Sequence, residues 1–296
     1  MKRNALAACF VALVGACASD AGSGLNPPAP TGGQQLATDS YHLDPGQEVY
    51  MCYQFYSPST AVGITHVDSI SQVGIHHLAL FQVVPGNEEP DAAHECNTTI
   101  KLSWQPVFVS GTGSKTLEVP DGVGLQIAPH TQYVLQLHLQ NATDAPIDVR
   151  AGVNLTYNHT PDALQPAGIF ALGKMQISIP ANTPDYSLQE SCMAGRARNV
   201  FAVFPHMHKL GTSMEVSITH AGGSPSSFYS VSPWVFGNQP VEPLVQTLAA
   251  DDKLEATCHW NNPGSSPVVY GESSDNEMCF FVMFYYPFDH LDGCID

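Results

Sequence analysis

Between Tyr133 and Gln140 the chain alternates strictly, with Tyr133, Leu135, Leu137 and Leu139 on one face and Val134, Gln136, His138 and Gln140 on the other. A period of two marks a β-strand whose two faces meet different surroundings. The same reasoning predicts strands over Val49–Phe55, Ile75–Val83, Val149–Tyr157, Met175–Ile179, Asn199–His206, Met214–His220, Leu254–Trp260 and Cys279–Tyr286. Turn signals separate them, among them Asp44-Pro45-Gly46, Pro85-Gly86-Asn87, Pro120-Asp121-Gly122 and Asn262-Pro263-Gly264. No segment carries a sustained helical period, and no repeat recurs at a fixed spacing. Strands without alternating helices imply antiparallel sheets, and hence an all-β protein of sandwich type. With 296 residues there is room for one large β domain or two of similar size. The Pro-containing stretch His159–Pro166 is the expected boundary, dividing residues 38–160 from 161–296.

The first 37 residues read differently. Lys2 and Arg3 precede a short apolar run, Ala5–Val14, that ends in Val14-Gly15-Ala16-Cys17. That ending resembles the bacterial lipoprotein cleavage box, so residues 1–16 are expected to be a signal peptide and Cys17 a lipidated first residue. Residues 17–37, rich in Gly, Pro and Ser, read as a tether. The expectation is an exported, lipid-anchored protein of the bacterial cell envelope that meets the membrane only through its anchor. Of the eight cysteines, setting aside Cys9 and Cys17 leaves Cys52, Cys96, Cys192, Cys258, Cys279 and Cys294. An even set in an exported chain points to disulfides, and spacing alone leaves the pairing open. No Cys-x-x-Cys occurs, which argues against a structural zinc site. Asn-x-Thr sequons at Asn97, Asn141, Asn154 and Asn158 have no expected role in a bacterial lipoprotein.

Charge changes the picture by exclusion. Only 12% of residues are charged, with 27 acidic against 10 basic and a formal net charge of −17. A nucleic-acid binder needs cationic side chains to displace phosphate counterions, so that class is excluded. The hydrophobic share of 44% rules out a chain too polar to build a core.

The unusual residue is histidine, at 13. His76-His77 lies within the apolar run Gly74–Phe81, His138 shares a strand face with Gln136, and His206-Met207-His208 follows an apolar strand. A lone His in an apolar strand is more often a hydrogen-bonded core residue than a ligand, and Met278 alone reads as core filler. Grouping alters that balance. On a strand, His206 and His208 point the same way and can clamp one ion. Adjacent His76 and His77 point to opposite faces of a regular strand, so sharing an ion requires either a bulge or different ring nitrogens facing the ion. Imidazole suits copper or zinc, and an added thioether tilts the choice toward copper(I). No Gly-x-Ser-x-Gly elbow and no phosphate-binding loop is present.

Four motifs occur in order: Gly74–Val83 with its His pair, Tyr133–His138, Phe204-Pro205-His206-Met207-His208-Lys209-Leu210-Gly211, and Gly271-Glu272-Ser273-Ser274-Asp275-Asn276-Glu277-Met278-Cys279. Together they resemble the ascorbate-dependent type II copper monooxygenases, the group of the peptidylglycine α-hydroxylating and dopamine β-monooxygenases. The resemblance runs from about Thr38 to Cys294. It implies two antiparallel, jelly-roll-like β-sandwich domains with a copper-lined, solvent-filled cleft between them. It implies two copper ions, an electron-transfer copper on His76, His77 and His138 and a catalytic copper on His206, His208 and Met278. Gln136 is expected to orient the cleft or its waters. The implied disulfides are Cys52–Cys96, Cys192–Cys294 and Cys258–Cys279.

The implied activity is hydroxylation of a C–H bond with O2 and a one-electron reductant such as ascorbate. The substrate pocket departs from the peptide-processing branch. Where that branch holds a carboxylate with an Arg and a Tyr, this chain has Phe204 and Val282, which cannot replace a bidentate guanidinium. A small apolar or aromatic substrate is therefore expected, with Arg196 or Arg198 as the residues to suspect if a carboxylate clamp exists after all. The partners expected are substrate, O2 and reductant, acting on a monomer. The alternative is a non-catalytic copper-binding envelope lipoprotein that stores or delivers the metal on the same scaffold.

Overall fold

The computed structural model describes residues 25–96, 101–112 and 116–296. The expected signal peptide, Cys17 and Asn97 lie outside the described residues. Among those described, the elements are β-strands plus one 3-10 turn, Pro161–Ala163, in the stretch expected to be the boundary. A ten-stranded sheet runs in the order Gly33–Ala37, Gly152–Asn158, Val62–Ile70, Val123–Ile127, Gln165–Lys174, Cys279–Tyr286, Arg198–Met207, Glu242–Leu248, with Thr116–Glu118 also pairing Val62–Ile70 and Asp292–Ile295 pairing Gln165–Lys174. Its first four strands come from before the turn and the rest from after it. They meet through one parallel pairing, Gln165–Ala167 beside Val123–Leu125.

Each portion of the long sheet is faced by a second sheet. In the N-terminal half this has the order His94–Glu95, Glu48–Tyr56, Gln132–Gln140, Ile75–Val83, Trp104–Gly111. Leu78, Leu80, Leu135 and Leu137 from it pack against Val67, Leu125 and Leu155 of the long sheet. In the C-terminal half the facing sheet has the order Thr183–Met193, Lys253–Asn262, Gly211–Thr219, Ser226–Val231. Val216, Ile218, Leu254 and Ala256 meet Val200, Val203, Phe281 and Met283 across the second core. Each buried Val, Leu, Ile, Phe or Met among them contributes about 1.5–3 kcal/mol, so the two cores fix the strand faces, and with them where the histidines point.

Ile75–Val83 and Cys279–Tyr286 form as the alternation predicts, and Glu48–Tyr56, Gln132–Gln140, Arg198–Met207, Gly211–Thr219 and Lys253–Asn262 differ only at their ends. Met175–Ile179 does not: only Ser178–Ile179 is strand, and the long strand is Gln165–Lys174 just before it. Gly168 and Gly173 weaken that segment's β signal, yet each is packed under an aromatic ring, Phe288 and Phe280, where a Cβ would collide. Val149–Tyr157 is likewise split, with Ile147–Val149 pairing Tyr41–Leu43 while Gly152–Asn158 joins the long sheet. Thr183–Met193 carries no predicted strand because its outward residues are polar and Pro184 sits near its start. It is an edge strand, where both features are tolerated.

Three disulfides join Cys52–Cys96, Cys192–Cys294 and Cys258–Cys279, the pairing that the resemblance implied. The Asn141 and Asn154 side chains are buried and donate to backbone carbonyls, Asn141 to Leu43 and Asn154 to Pro28, so neither sequon presents a free amide.

Candidate metal centre

The five-stranded sheet turns its leucine face to the core and its other face, with Tyr50, His77, Gln136 and His138, toward the C-terminal half. Register explains how two adjacent histidines reach one place. His138 pairs with His77, but the next residue, Leu139, pairs with Ile75, so His76 is the extra residue of a β-bulge. A bulge re-aims the side chain it frees, and the rings of His76 and His77 lie 5.3 Å apart. Tyr50, the other strand partner of His138, stacks on that imidazole at 4.1 Å.

In the second half the alternation of Arg198–Met207 sends Met207 into the core and His206 the opposite way. His208 follows directly, with its ring 5.1 Å from that of His206. Met278 precedes the neighbouring strand Cys279–Tyr286, is buried, and lines the same cavity as His206.

The five imidazoles are not divided by a cleft, as the resemblance implied. They form one buried cluster, with ring separations across the halves of 5.9 Å for His76–His206, 5.3 Å for His77–His206 and 5.8 Å for His76–His208. Two trios have their ligand atoms within 4.8 Å of one another: His76, His77, His138 and His76, His206, His208.

Three of the rings are oriented by groups that only accept hydrogen bonds. His138 Nε2 donates to Glu48 at 2.6 Å, His206 Nδ1 to the Gln239 carbonyl oxygen at 2.6 Å, and His208 Nδ1 to the Asn276 carbonyl at 3.2 Å. These bonds set the tautomers and leave the other nitrogen of each ring as a lone-pair donor. His76 Nε2, His77 Nδ1, His138 Nδ1 and His208 Nε2 are buried without a hydrogen-bond partner. Orphaned buried nitrogens are costly, and a borderline or soft metal ion is what neutral imidazoles beside a thioether fit. Burial, reinforced by the neighbouring rings, pushes the His76 and His77 pKa values far down; burial lowers His138 too, and holds His206 at about 4 and His208 at about 3. The centre is therefore neutral and ready to ligate at pH 7.

Two carboxylates brace it, and residue patterning had singled out neither. Glu48 accepts from His138, from the Ser274 amide at 2.8 Å and from the Ser273 hydroxyl at 3.0 Å; burial opposes ionisation, but these bonds outweigh it and bring the pKa to about 2. Glu277 is fully buried and accepts from the amides of His208 (3.0 Å), Leu210 (2.7 Å) and Met278 (3.3 Å) and from Trp260 Nε1 (2.9 Å). Burial raises its pKa to about 7 against those four bonds. One carboxylate thus ties the His206–His208 segment to the Met278 segment. The only sequence signal was an acidic residue beside Met278.

A cavity of about 400 Å³ ends on His77, His206 and Met278. Its walls include Phe81, Trp104, Phe108, Phe204, Phe280 and Val282. Phe204 and Val282 are cross-strand partners, and Phe204 stacks near-parallel on His206 at 5.8 Å. Gln136 lies on the His138 face but presents its amide to the Cys52–Cys96 bridge, Nε2 at 3.7 Å from Cys96 Sγ. Arg198 is buried against Phe170 and Tyr285 and paired with Asp292, and Arg196 pairs with Asp289 and Asp292. Both guanidiniums are engaged in holding the C-terminal segment.

Fold and site together define an all-β chain with a buried histidine cluster beside a methionine-lined cavity. Residues 165–296 match the family model described as copper type II ascorbate-dependent monooxygenase, C-terminal domain. DBH-like monooxygenase protein 1 of Gallus gallus is 26% identical over 281 residues, covering 83% of this chain and 45% of the relative. Its Homo sapiens counterpart is 26% identical over 289 residues, with the same coverage of 83% and 45%. The chain is thus similar to the copper type II ascorbate-dependent monooxygenases over residues 165–296 and to the DBH-like monooxygenases over most of its length. It spans about half the length of the curated relatives it matches.

Proposed function

We propose that the chain is a copper-dependent monooxygenase that hydroxylates a C–H bond of a small apolar or aromatic substrate, with O2 as oxidant and ascorbate or another one-electron donor as reductant. The observation that carries this reading is the apolar cavity ending on His77, His206 and Met278. Two copper ions are assigned, one to His76, His77 and His138 and the other to His206, His208 and Met278. Bound copper supplies the single-electron chemistry with O2 that an unactivated C–H bond requires. The protein supplies the rest. Glu48, Gln239 and the Asn276 carbonyl hold imidazole lone pairs inward, and the Met278 thioether favours the reduced metal. The aromatic walls exclude water and bind an apolar substrate by burial. The reading extends to an exported, monomeric protein anchored at the cell envelope through Cys17, with no nucleic-acid partner.

The test is oxygen uptake by copper-loaded protein with ascorbate and a panel of neutral aromatic compounds. Substrate-dependent uptake with one atom of labelled O2 in the product is expected. Tight copper binding without such uptake would overturn the monooxygenase and favour storage or delivery of the metal.

A further inference from the structure

His76 belongs to both histidine trios, and no other residue does. Three observations single it out. It is the bulged residue of its strand, so backbone pairing does not commit its side chain to one sheet face. Its Nε2 is buried with no hydrogen-bond partner, whereas His138, His206 and His208 are each oriented by an acceptor. Its ring is held by stacking on Phe236 of the opposite half, at 4.4 Å and 26°. Stacking sets the plane of a ring while permitting the in-plane adjustment that ligation needs.

We propose that His76, His206 and His208 form a second kind of metal site, one that spans the two halves and takes a borderline divalent ion such as Zn²⁺. Metal–nitrogen distances of about 2.0–2.1 Å require ligand nitrogens about 3.3 Å apart in a tetrahedral site. The three nitrogens already lie within 4.8 Å of one another, so ring movements of about 1.5 Å or less complete the site. Three neutral imidazoles with an open fourth position suit zinc, for which a thioether is a poor ligand. Sharing has a consequence: an ion held this way withdraws His76 from His77 and His138. The spanning site and the full His76/His77/His138 site are thus mutually exclusive, and an ion in the spanning site ties the halves together. The proposal does not depend on the hydroxylase reading, because it concerns binding of a redox-silent ion.

The experiment uses the full chain carrying His138→Ala, which disables the first trio and leaves the spanning one intact. Zn²⁺ affinity is measured by competition with a chromogenic chelator, and thermal unfolding is followed with and without Zn²⁺. Adding His76→Ala is expected to weaken Zn²⁺ by at least the roughly 100-fold that outer-shell changes can reach, and to abolish the zinc-dependent rise in Tm. Adding Met278→Ala instead should change the affinity little. His76→Gln, which keeps a planar side chain against Phe236, is the second variant should alanine disturb folding, and the same loss is expected. Unchanged Zn²⁺ affinity in a folded His76 variant, or a loss caused by Met278→Ala and not by His76→Ala, would overturn the spanning site.

Discussion

Glu48 Oε1 and His138 Nε2 lie 2.6 Å apart, and the same carboxylate accepts from Ser273 and Ser274 of the other half. One side chain therefore sets the tautomer of His138, a candidate ligand, and docks the loop that leads into Met278. Tyr50, whose hydroxyl donates to the Glu272 carbonyl, and Gln140, whose amide donates to Ser274 Oγ, grip the same loop. Ligand orientation and the approach of the halves are thus coupled through residues that touch no metal.

Glu48→Ala should remove that coupling without deleting a ligand. Copper affinity at the His76/His77/His138 site is expected to fall about 10–100-fold, the usual effect of losing an outer-shell partner. Glu48→Gln, which still offers an oxygen to His138, should recover part of the loss. Anaerobic copper(I) titration against a chelator checks both, and equal affinities for wild type and Glu48→Ala would remove the bracing role.

Glu277 makes a sharper claim on stability. Glu277→Ala leaves three backbone amides and the Trp260 indole without their acceptor in a buried place. A buried donor left without its acceptor costs about 1–3 kcal/mol, so with four orphaned at once a loss of several kcal/mol is expected. Denaturant unfolding followed by tryptophan emission reads this directly. Glu277→Gln retains one acceptor oxygen and should lose less. A loss below about 1 kcal/mol for the alanine variant, the scale of one ordinary hydrogen bond, would contradict the clamp.

Much of this architecture was legible in the sequence because alternation reports burial. The strands with one leucine-rich and one polar face, such as Gln132–Gln140, announce themselves, and so does the His-x-His geometry of His206 and His208. Gln165–Lys174 escaped because its glycines answer to the rings of Phe288 and Phe280, a tertiary fact with no local trace. A bulge was one of two ways the His pair could share an ion, yet nothing in Gly74–Phe81 marks which residue is extra, since that depends on register with Leu139. The bracing acids were hidden for the same reason. Glu48 and Glu277 look like ordinary polar residues until donors such as His208 and Ser274 arrive from 69 and 226 positions away.

Acid should unfold the metal-free chain early. Burial keeps His206 neutral down to about 4 and His208 down to about 3, and His76, His77 and His138 are lowered as well. The same side chains in the unfolded chain take up protons near pH 6.5. Between about 6.5 and the folded values the unfolded state binds more protons, so stability falls as pH falls. It is flat with respect to these groups above 6.5. Each imidazole with a folded value near 4 contributes a loss of about 2 kcal/mol between pH 7 and pH 5. Glu277, raised to about 7, acts in the opposite sense but is one group against five. Thermal melts after chelation should show a marked drop in Tm from pH 7 to pH 5, reduced in His206→Gln. A Tm that does not move over that range would be incompatible with five neutral buried imidazoles.

The last expectation concerns what the cavity accepts. Phe204 and Val282 face each other across adjacent strands beside His206, so nothing on that wall can pair with a carboxylate. Arg196 and Arg198 are committed to Asp289 and Asp292, and Lys209 is paired with Asp275 at 2.7 Å. The formal net charge of −17 adds a long-range repulsion toward anions that salt would screen. A neutral aromatic compound should therefore be bound and turned over in preference to an acidic one of similar size, with the gap narrowing at high ionic strength. Phe204→Arg with Val282→Tyr replaces the apolar pair by a bidentate donor and a phenol. That double variant should raise kcat/KM for the acidic compound about tenfold or more, the scale of one charge-assisted hydrogen bond, while lowering it for the neutral one. Lys101 lines the cavity but is paired with Glu89 at 2.8 Å. Comparing kcat/KM for the two compounds in both proteins decides the matter: if wild type prefers the acid, Lys101 leaves Glu89 to hold the carboxylate and the apolar reading of the pocket fails.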